Sequence, residues 1–193
     1  MNKIIFYSNN NDKIKEINSL FKKLSIKVFC PKDFGITLEP KEVGSSFAEN
    51  AKIKSLYGFQ NIQIPCFADD SGICIEALNW GPNINSKKFI KSFKNNFECF
   101  KYILKEVEKT GKNKAYFQTS ICYTIKTNYH IVFDGLIEGK ISKKIIGNNG
   151  FGYDPIFIPK ENKKTFAQLT RIEKNSLSHR SVAIRKLINF LSN

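Results

Sequence analysis

Apolar residues follow two rhythms along the chain, short continuous runs and spacings of three and four, and their alternation predicts an α/β protein. Residues 3–8, Lys-Ile-Ile-Phe-Tyr-Ser, read as a buried strand, and Lys13 to Leu24 as a helix with Ile14, Ile17, Leu20, Phe21 and Leu24 on one face. A second short strand is expected at 26–30. Ser46-Phe47-Ala48-Glu49 has the form of a capping box and opens a helix to about Phe59. Cys66 to Ala68 read as a strand delivering Asp69, Asp70, Ser71 and Gly72 to its end, and Ile73 to Leu78 resume an apolar stretch. Helical spacing returns from Phe89 to Glu108.

Residues 115–126 and 129–138 are rich in Tyr, Phe, Thr, Ile and Val, and the Thr127-Asn128 break between them predicts an antiparallel hairpin, so the central sheet is mixed. A glycine-rich loop is expected at Gly147 to Gly152, an extended piece at Phe157 and Ile158, and a closing helix from Ser178 to Leu191. No repeat, linker or composition shift interrupts the chain, and residues 1–193 are expected to form a single domain.

The chain has 193 residues, of which 41% are hydrophobic, enough for a sizeable core. The apolar run near Met1 to Ser8 is too short for a signal peptide or a membrane span, which points to a cytoplasmic protein. Cys30, Cys66, Cys74, Cys99 and Cys122 are odd in number and form no CxxC pair, so they read as small core residues. The net charge of +14 is attractive to polyanions. Its lysines are nevertheless spread along the whole chain, and arginine occurs only at 171, 180 and 185, so solvated charge is the stronger reading than a dedicated nucleic-acid surface.

Candidate chemistry gathers in a few places. The loop Ser8, Asn9, Asn10, Asn11, Asp12, Lys13 lies where a strand hands over to a helix, so free backbone N–H groups and the positive end of the helix dipole suit it to phosphate. The adjacent carboxylates Asp69 and Asp70 repel each other unless a cation compensates them, and magnesium prefers such hard oxygen ligands together with substrate phosphates. Glu42 is an additional ligand candidate. Asn50 and Lys54, four apart on a helix, share a face. Phe151, Gly152, Tyr153 and Asp154 offer an aromatic platform and a carboxylate for a flat heterocycle, and Lys174, Ser178, His179 and Arg180 add polar donors. A solvated turn or a core-packing turn accounts for each of these groups taken singly.

In order, Ser8-x-Asn10-x-x-Lys13-x-x-Glu16, Glu42-x-Gly44-x-Ser46-Phe47-x-Glu49-Asn50-Ala51-x-x-Lys54, Ala68-Asp69-Asp70-Ser71-Gly72, Gly150 to Phe157 and Lys174-x-x-x-Ser178-His179-Arg180 resemble the inosine triphosphate pyrophosphatase family, of the Ham1 type. The resemblance implies a central mixed sheet flanked by helices, two lobes around a nucleotide-binding cleft, and a homodimer. It further implies a magnesium-dependent hydrolase that converts ITP, dITP and XTP to the monophosphate and pyrophosphate. By the same resemblance Ser8, Asn10, Lys13 and Lys54 hold phosphates, Glu42 and Asp70 bind magnesium, Asp70 accepts a proton and Ser71 contacts substrate, while Phe151 to Asp154, Lys174, His179 and Arg180 form the base pocket. The chain departs from the family at Asn9 and Asp12, where glycine is frequent, at Asn83, where the family tends to show Gly after Pro, and at Lys88, which replaces an arginine. Two rivals stand beside this reading: a Maf-type pyrophosphatase of modified nucleotides, and a basic nucleic-acid-binding relative without catalysis.

Overall fold

The computed structural model describes residues 3–22 and 26–192; Leu24, placed on the first helix by its spacing, lies outside them. Seven strands form one mixed sheet: β1 (Lys3–Phe6), β2 (Lys27–Phe29), β3 (Cys66–Ile75), β4 (Gly81–Pro82), β5 (Lys114–Lys126), β6 (Tyr129–Ile141) and β7 (Phe157–Pro159). The helices are α1 (Asn11–Phe21), α2 (Phe47–Ile62), α3 (Ser86–Lys91), α4 (Asn96–Thr110), α5 (Arg171–Leu177) and α6 (His179–Ser192). The chain divides into two compact units, one containing the residues up to Asp70, Thr119–Gly135 and those from Arg180 on, the other Ser71–Gln118 and Leu136–His179. Strands β3, β5 and β6 contribute to both.

In the first unit β1 is flanked in parallel on both sides, by β2 through Ile4↔Val28 and by β3 through Ile5↔Cys66 and Phe6↔Phe67. A strand enclosed in this way must be apolar on both faces, as the buried Ile4, Ile5, Phe6 and Tyr7 are. Side chains alternate along it. Ile4 and Phe6 join Ile14, Ile17 and Phe21 of α1 and Ile184 and Leu187 of α6 in one core, while Ile5 and Tyr7 join Cys66, Ala68 and Tyr57 of α2 in another. Helix α2 opens as its sequence signal requires: Ser46 accepts from the Glu49 N–H at 3.2 Å, although the Glu49 carboxylate returns to the Ser45 N–H rather than to Ser46.

In the second unit β4 pairs antiparallel with β3 through Cys74↔Pro82, and β7 antiparallel with β6 through Lys140↔Ile158. Ile73, Ile75, Phe100, Ile103, Phe117, Ile156, Phe157 and Phe166 fill its core. The span read as one helix from Phe89 to Glu108 is two helices, α3 and α4, because Asn95 takes up extended backbone and caps α4 by accepting from the Glu98 N–H. Helix α5 precedes the expected closing helix and carries Lys174. Asn83, one of the departures from the resemblance, has φ +53°, a left-handed conformation that asparagine tolerates better than most residues. Lys88 is exposed on α3.

The largest departure from the sequence reading is β3, which does not stop at Ala68 but runs unbroken to Ile75, with Asp69, Asp70, Ser71 and Gly72 in its middle. Gly72 is required there by close approach. A Cβ would run into the Asn83 carbonyl and come within 2.5 Å of the Ser86 hydroxyl, which accepts from the Ile73 N–H at 2.9 Å. Gly72→Ala is therefore expected to destabilise the protein by about 1–3 kcal/mol through overpacking, read as a melting temperature lower by several degrees. An unchanged melting temperature would show that the Asn83 turn yields without cost.

All five cysteines are buried and in no disulfide, and burial pushes the Cys99 thiol up to about 11. Among the described residues, no helix is long and apolar enough to cross a membrane.

Candidate active site

Because successive strand residues face opposite ways, extending β3 through the Asp-Asp pair sends its two carboxylates to different partners. Asp69 accepts from Lys13 Nζ and from Arg180 Nε, both at 3.0 Å. Asp70 accepts from Lys54 Nζ at 3.3 Å and from Asn50 Nδ2 at 3.1 Å. The repulsion expected between neighbouring carboxylates is thus met by two separate sets of donors. Burial opposes the Asp69 charge, but Lys13, Arg180 and Lys54 outweigh it and hold its carboxyl well below the usual range. At Asp70 burial prevails over Lys54 and Lys13, with Glu42 adding repulsion, and the carboxyl is pushed up.

Lys54, on the buried face of α2, joins two acids: its Nζ donates to Glu42 Oε1 at 2.6 Å as well as to Asp70 Oδ1. Burial lowers its proton affinity and Asp70, Asp69 and Glu42 more than restore it, so Lys54 stays a cation. Asn50, one turn earlier, ties this group to the loop before the helix by accepting from the Gly44 N–H at 2.8 Å. Thr119 Oγ1 donates to the Asp70 carbonyl at 3.0 Å, which anchors the strand beneath the carboxylate. Asn50 and Lys54, four apart on α2, thus both donate to Asp70.

The loop from Ser8 to Lys13 differs from its sequence reading. Asn10 caps α1, accepting from the Asp12 and Lys13 N–H groups, while Ser8 Oγ accepts from the Asn10 N–H and Glu39 from the Asn9 N–H. These four amides already have acceptors, because a capped helix start consumes the groups that would otherwise face an anion. Asn9, Asn11 and Asp12 are exposed on this loop, and the Lys13 side chain keeps 16% exposure.

Arg180, which the resemblance assigns to the base pocket, lies in a buried ion-pair network. Its guanidinium is 2% exposed and lies between Asp69 and Glu16, with Nε and Nη1 donating to the two carboxylates. Burial works against its charge, yet Glu16 and Asp69 outweigh burial and raise its proton affinity. In the sequence Glu16 stands in its motif without a role, and Asp69 reads only as one half of an acid pair suited to a cation. The available signal for Glu16 was a carboxylate beside Ile17 on the buried side of α1, where an unpaired acid would be costly.

In the second unit, Asp154 Oδ2 accepts from Lys174 Nζ at 2.7 Å and from the Phe151 N–H at 2.8 Å, and the Lys174 ammonium lies 4.6 Å from the centre of the Phe151 ring. The carboxylate expected to be available to a heterocycle is therefore paired. Tyr153 is a core residue whose hydroxyl donates to the Ser86 carbonyl at 2.7 Å, so it anchors the loop rather than lining it. His179 stacks on Phe117 at 4.8 Å. Phe151, Gly152 and Ser71 are partly exposed.

Fold and side chains together define a mixed-sheet α/β protein that brings lysines and carboxylates from a strand-loop-helix start and an Asp-Asp strand into buried ion pairs. Within that class the chain belongs to the Ham1 family, whose model matches residues 4–190. A dITP/XTP pyrophosphatase of Flavobacterium psychrophilum is 38% identical over 190 residues, 98% of this chain and 99% of the relative, and one of Leptospira interrogans is 39% identical over 186 residues, 95% and 94%. The structure of a HAM1 protein from Coxiella burnetii superposes with a TM-score of 0.89 at 33% identity, covering 100% of this chain and 99% of that one. The Ham1 protein of Staphylococcus aureus gives 0.86 at 33% identity over 98% of each.

Proposed function

We propose that the protein hydrolyses purine nucleoside triphosphates carrying the wrong base, ITP, dITP and XTP, to the monophosphate and pyrophosphate, as the names of its relatives suggest. The observation that supports this most is Asp70: a buried carboxylate of raised proton affinity, with Lys54, Asn50 and Glu42 around it. Such a group is suited to accept the proton of a water attacking the α-phosphorus. Lys13 and Lys54 supply positive charge where the phosphoryl oxygens gain negative charge, the main contribution to catalysis of this type.

Among the described residues no cluster of three or more His, Cys, Asp and Glu is arranged to hold a metal ion. Glu42 and Asp70, brought near each other by their shared contact with Lys54, nevertheless fit magnesium in kind, since this metal commonly takes one or two carboxylates plus water and phosphate. Bound there, magnesium would neutralise phosphate charge. Ser8, Asn10 and the rest of the loop to Lys13 set the position of that lysine, and Ser71 is assigned to substrate contact. The reading takes residues 1–193 as one catalytic domain, acting as a cytoplasmic homodimer.

For the base, Phe151 offers a stacking face and Lys174 a cation beside it. A buried ammonium favours the six-position carbonyl of hypoxanthine or xanthine over the amino group of adenine, which would set donor against donor. Leaving one buried group unpaired costs on the order of 1–3 kcal/mol, so kcat/KM for ITP is expected to exceed that for ATP by roughly ten- to a hundredfold. A panel of ITP, dITP, XTP, GTP and ATP with magnesium, read by pyrophosphate release, tests both parts. Orthophosphate as the first product would refute the cleavage site, and equal rates with ATP and ITP would refute the base selection.

A further inference from the structure

Behind Lys13 lies a row of four alternating charges. Its ammonium donates to Asp69, Asp69 accepts from Arg180, and Arg180 donates to Glu16. Side-chain exposure is 16% at Lys13 but 8% at Glu16, 2% at Arg180 and 1% at Asp69, so Lys13 is the outward end of a network that is otherwise inside the protein. Burying four charges is not a route to stability, since well-packed apolar residues of similar volume commonly do as well or better. Another role must account for the network.

We propose that Asp69 and Glu16, linked through Arg180, are positioning residues that fix the Lys13 ammonium for the polyphosphate of the substrate. The proposal rests on the reading above in which Lys13 meets phosphate. A lysine loses much rotamer freedom when immobilised, and holding it in place before the ligand arrives leaves less to lose on binding. A lone carboxylate would hold Lys13 but also satisfy its charge. Here the charge of Asp69 is divided between Lys13 and Arg180, and Glu16 in turn takes part of Arg180, so Lys13 is held while keeping attraction for an anion. Neutralising Glu16 lets Arg180 draw Asp69 more fully and loosens Lys13.

The test uses inorganic tripolyphosphate without metal, titrated calorimetrically into the full-length protein. Glu16→Gln is expected to weaken binding roughly tenfold, the scale of a charge-assisted hydrogen bond, and to raise KM for ITP in proportion with a smaller change in kcat. In a Lys13→Ala background the same substitution should change nothing further, because its effect passes through Lys13. A merely structural role would make the two effects additive, and additivity, or tighter binding by Glu16→Gln, would overturn the proposal. Should Glu16→Gln give no cooperative melt, Glu16→Asp, which keeps the charge but shortens its reach to Arg180, is measured in the same two backgrounds, with a smaller loss of binding expected only where Lys13 is present. Failure of both to fold would assign the network to stability and overturn the proposal. A wild type that binds tripolyphosphate in the expected Glu16-dependent way but releases no pyrophosphate from any triphosphate would instead overturn the catalytic reading alone.

Discussion

Asp70→Asn is expected to fold like the wild type and to release pyrophosphate from ITP about a thousandfold more slowly, within the range lost when a general base is removed. The amide has nearly the same shape, so packing in β3 and the Thr119 contact to the backbone carbonyl are retained. The chemistry is not. An amide oxygen can still accept from Asn50 Nδ2, but its NH2 then faces the Lys54 ammonium, and attraction between Asp70 and Lys54 becomes a contact of two donors. Neither nitrogen nor oxygen of an amide takes a proton from water near neutral pH. Matching melting curves with a rate within about tenfold of wild type would remove Asp70 from the role of proton acceptor.

Lys54→Ala is expected to lower kcat/KM by roughly a hundredfold or more, the scale of losing one preorganised charge at a transferring phosphoryl group. Two effects act together. The phosphate loses a cation, and Glu42 and Asp70, which share that ammonium, are left facing each other. The same substitution at Lys52, exposed on α2 two residues earlier, should leave kcat/KM within about twofold, since solvated surface charges contribute little. Similar losses at Lys52 and Lys54 would mean that α2 contributes only general positive charge.

The regular parts of this fold are visible in the chain because they satisfy one period for long enough. The spacing of Ile14, Ile17 and Phe21, and the Thr127-Asn128 break inside two β-rich runs, leave little choice of element. Asp69 to Gly72 misled for a physical reason. Acids and glycine are poor strand formers in isolation, and only ion pairs with Lys13, Lys54 and Arg180, the last 111 residues away, make an extended conformation favourable there. The same contacts explain why motif order draws attention to these residues without giving their partners. Arg180 beside His179 reads as one donor cluster, yet its guanidinium is engaged with Glu16 and Asp69, partners that spacing along the chain cannot suggest. Lys174 and Asp154, both expected near a base, pair with each other.

The two faces of β3 also bear on which changes of length the gene can accept. Deleting one codon between Phe67 and Asp69 would turn each later side chain of the strand to the other side, presenting Asp70 to Lys13 and Arg180 and removing the acid from Lys54 and Asn50. Lys54 and Asn50 would then meet Ser71 in place of a carboxylate, from a lesion that alters no charged residue. An added residue at the Thr127-Asn128 turn, by contrast, lies in the connection between β5 and β6 and can be absorbed as a longer hairpin loop. Length variation in this protein is thus expected to accumulate in its turns, while β3 admits substitution but not insertion or deletion.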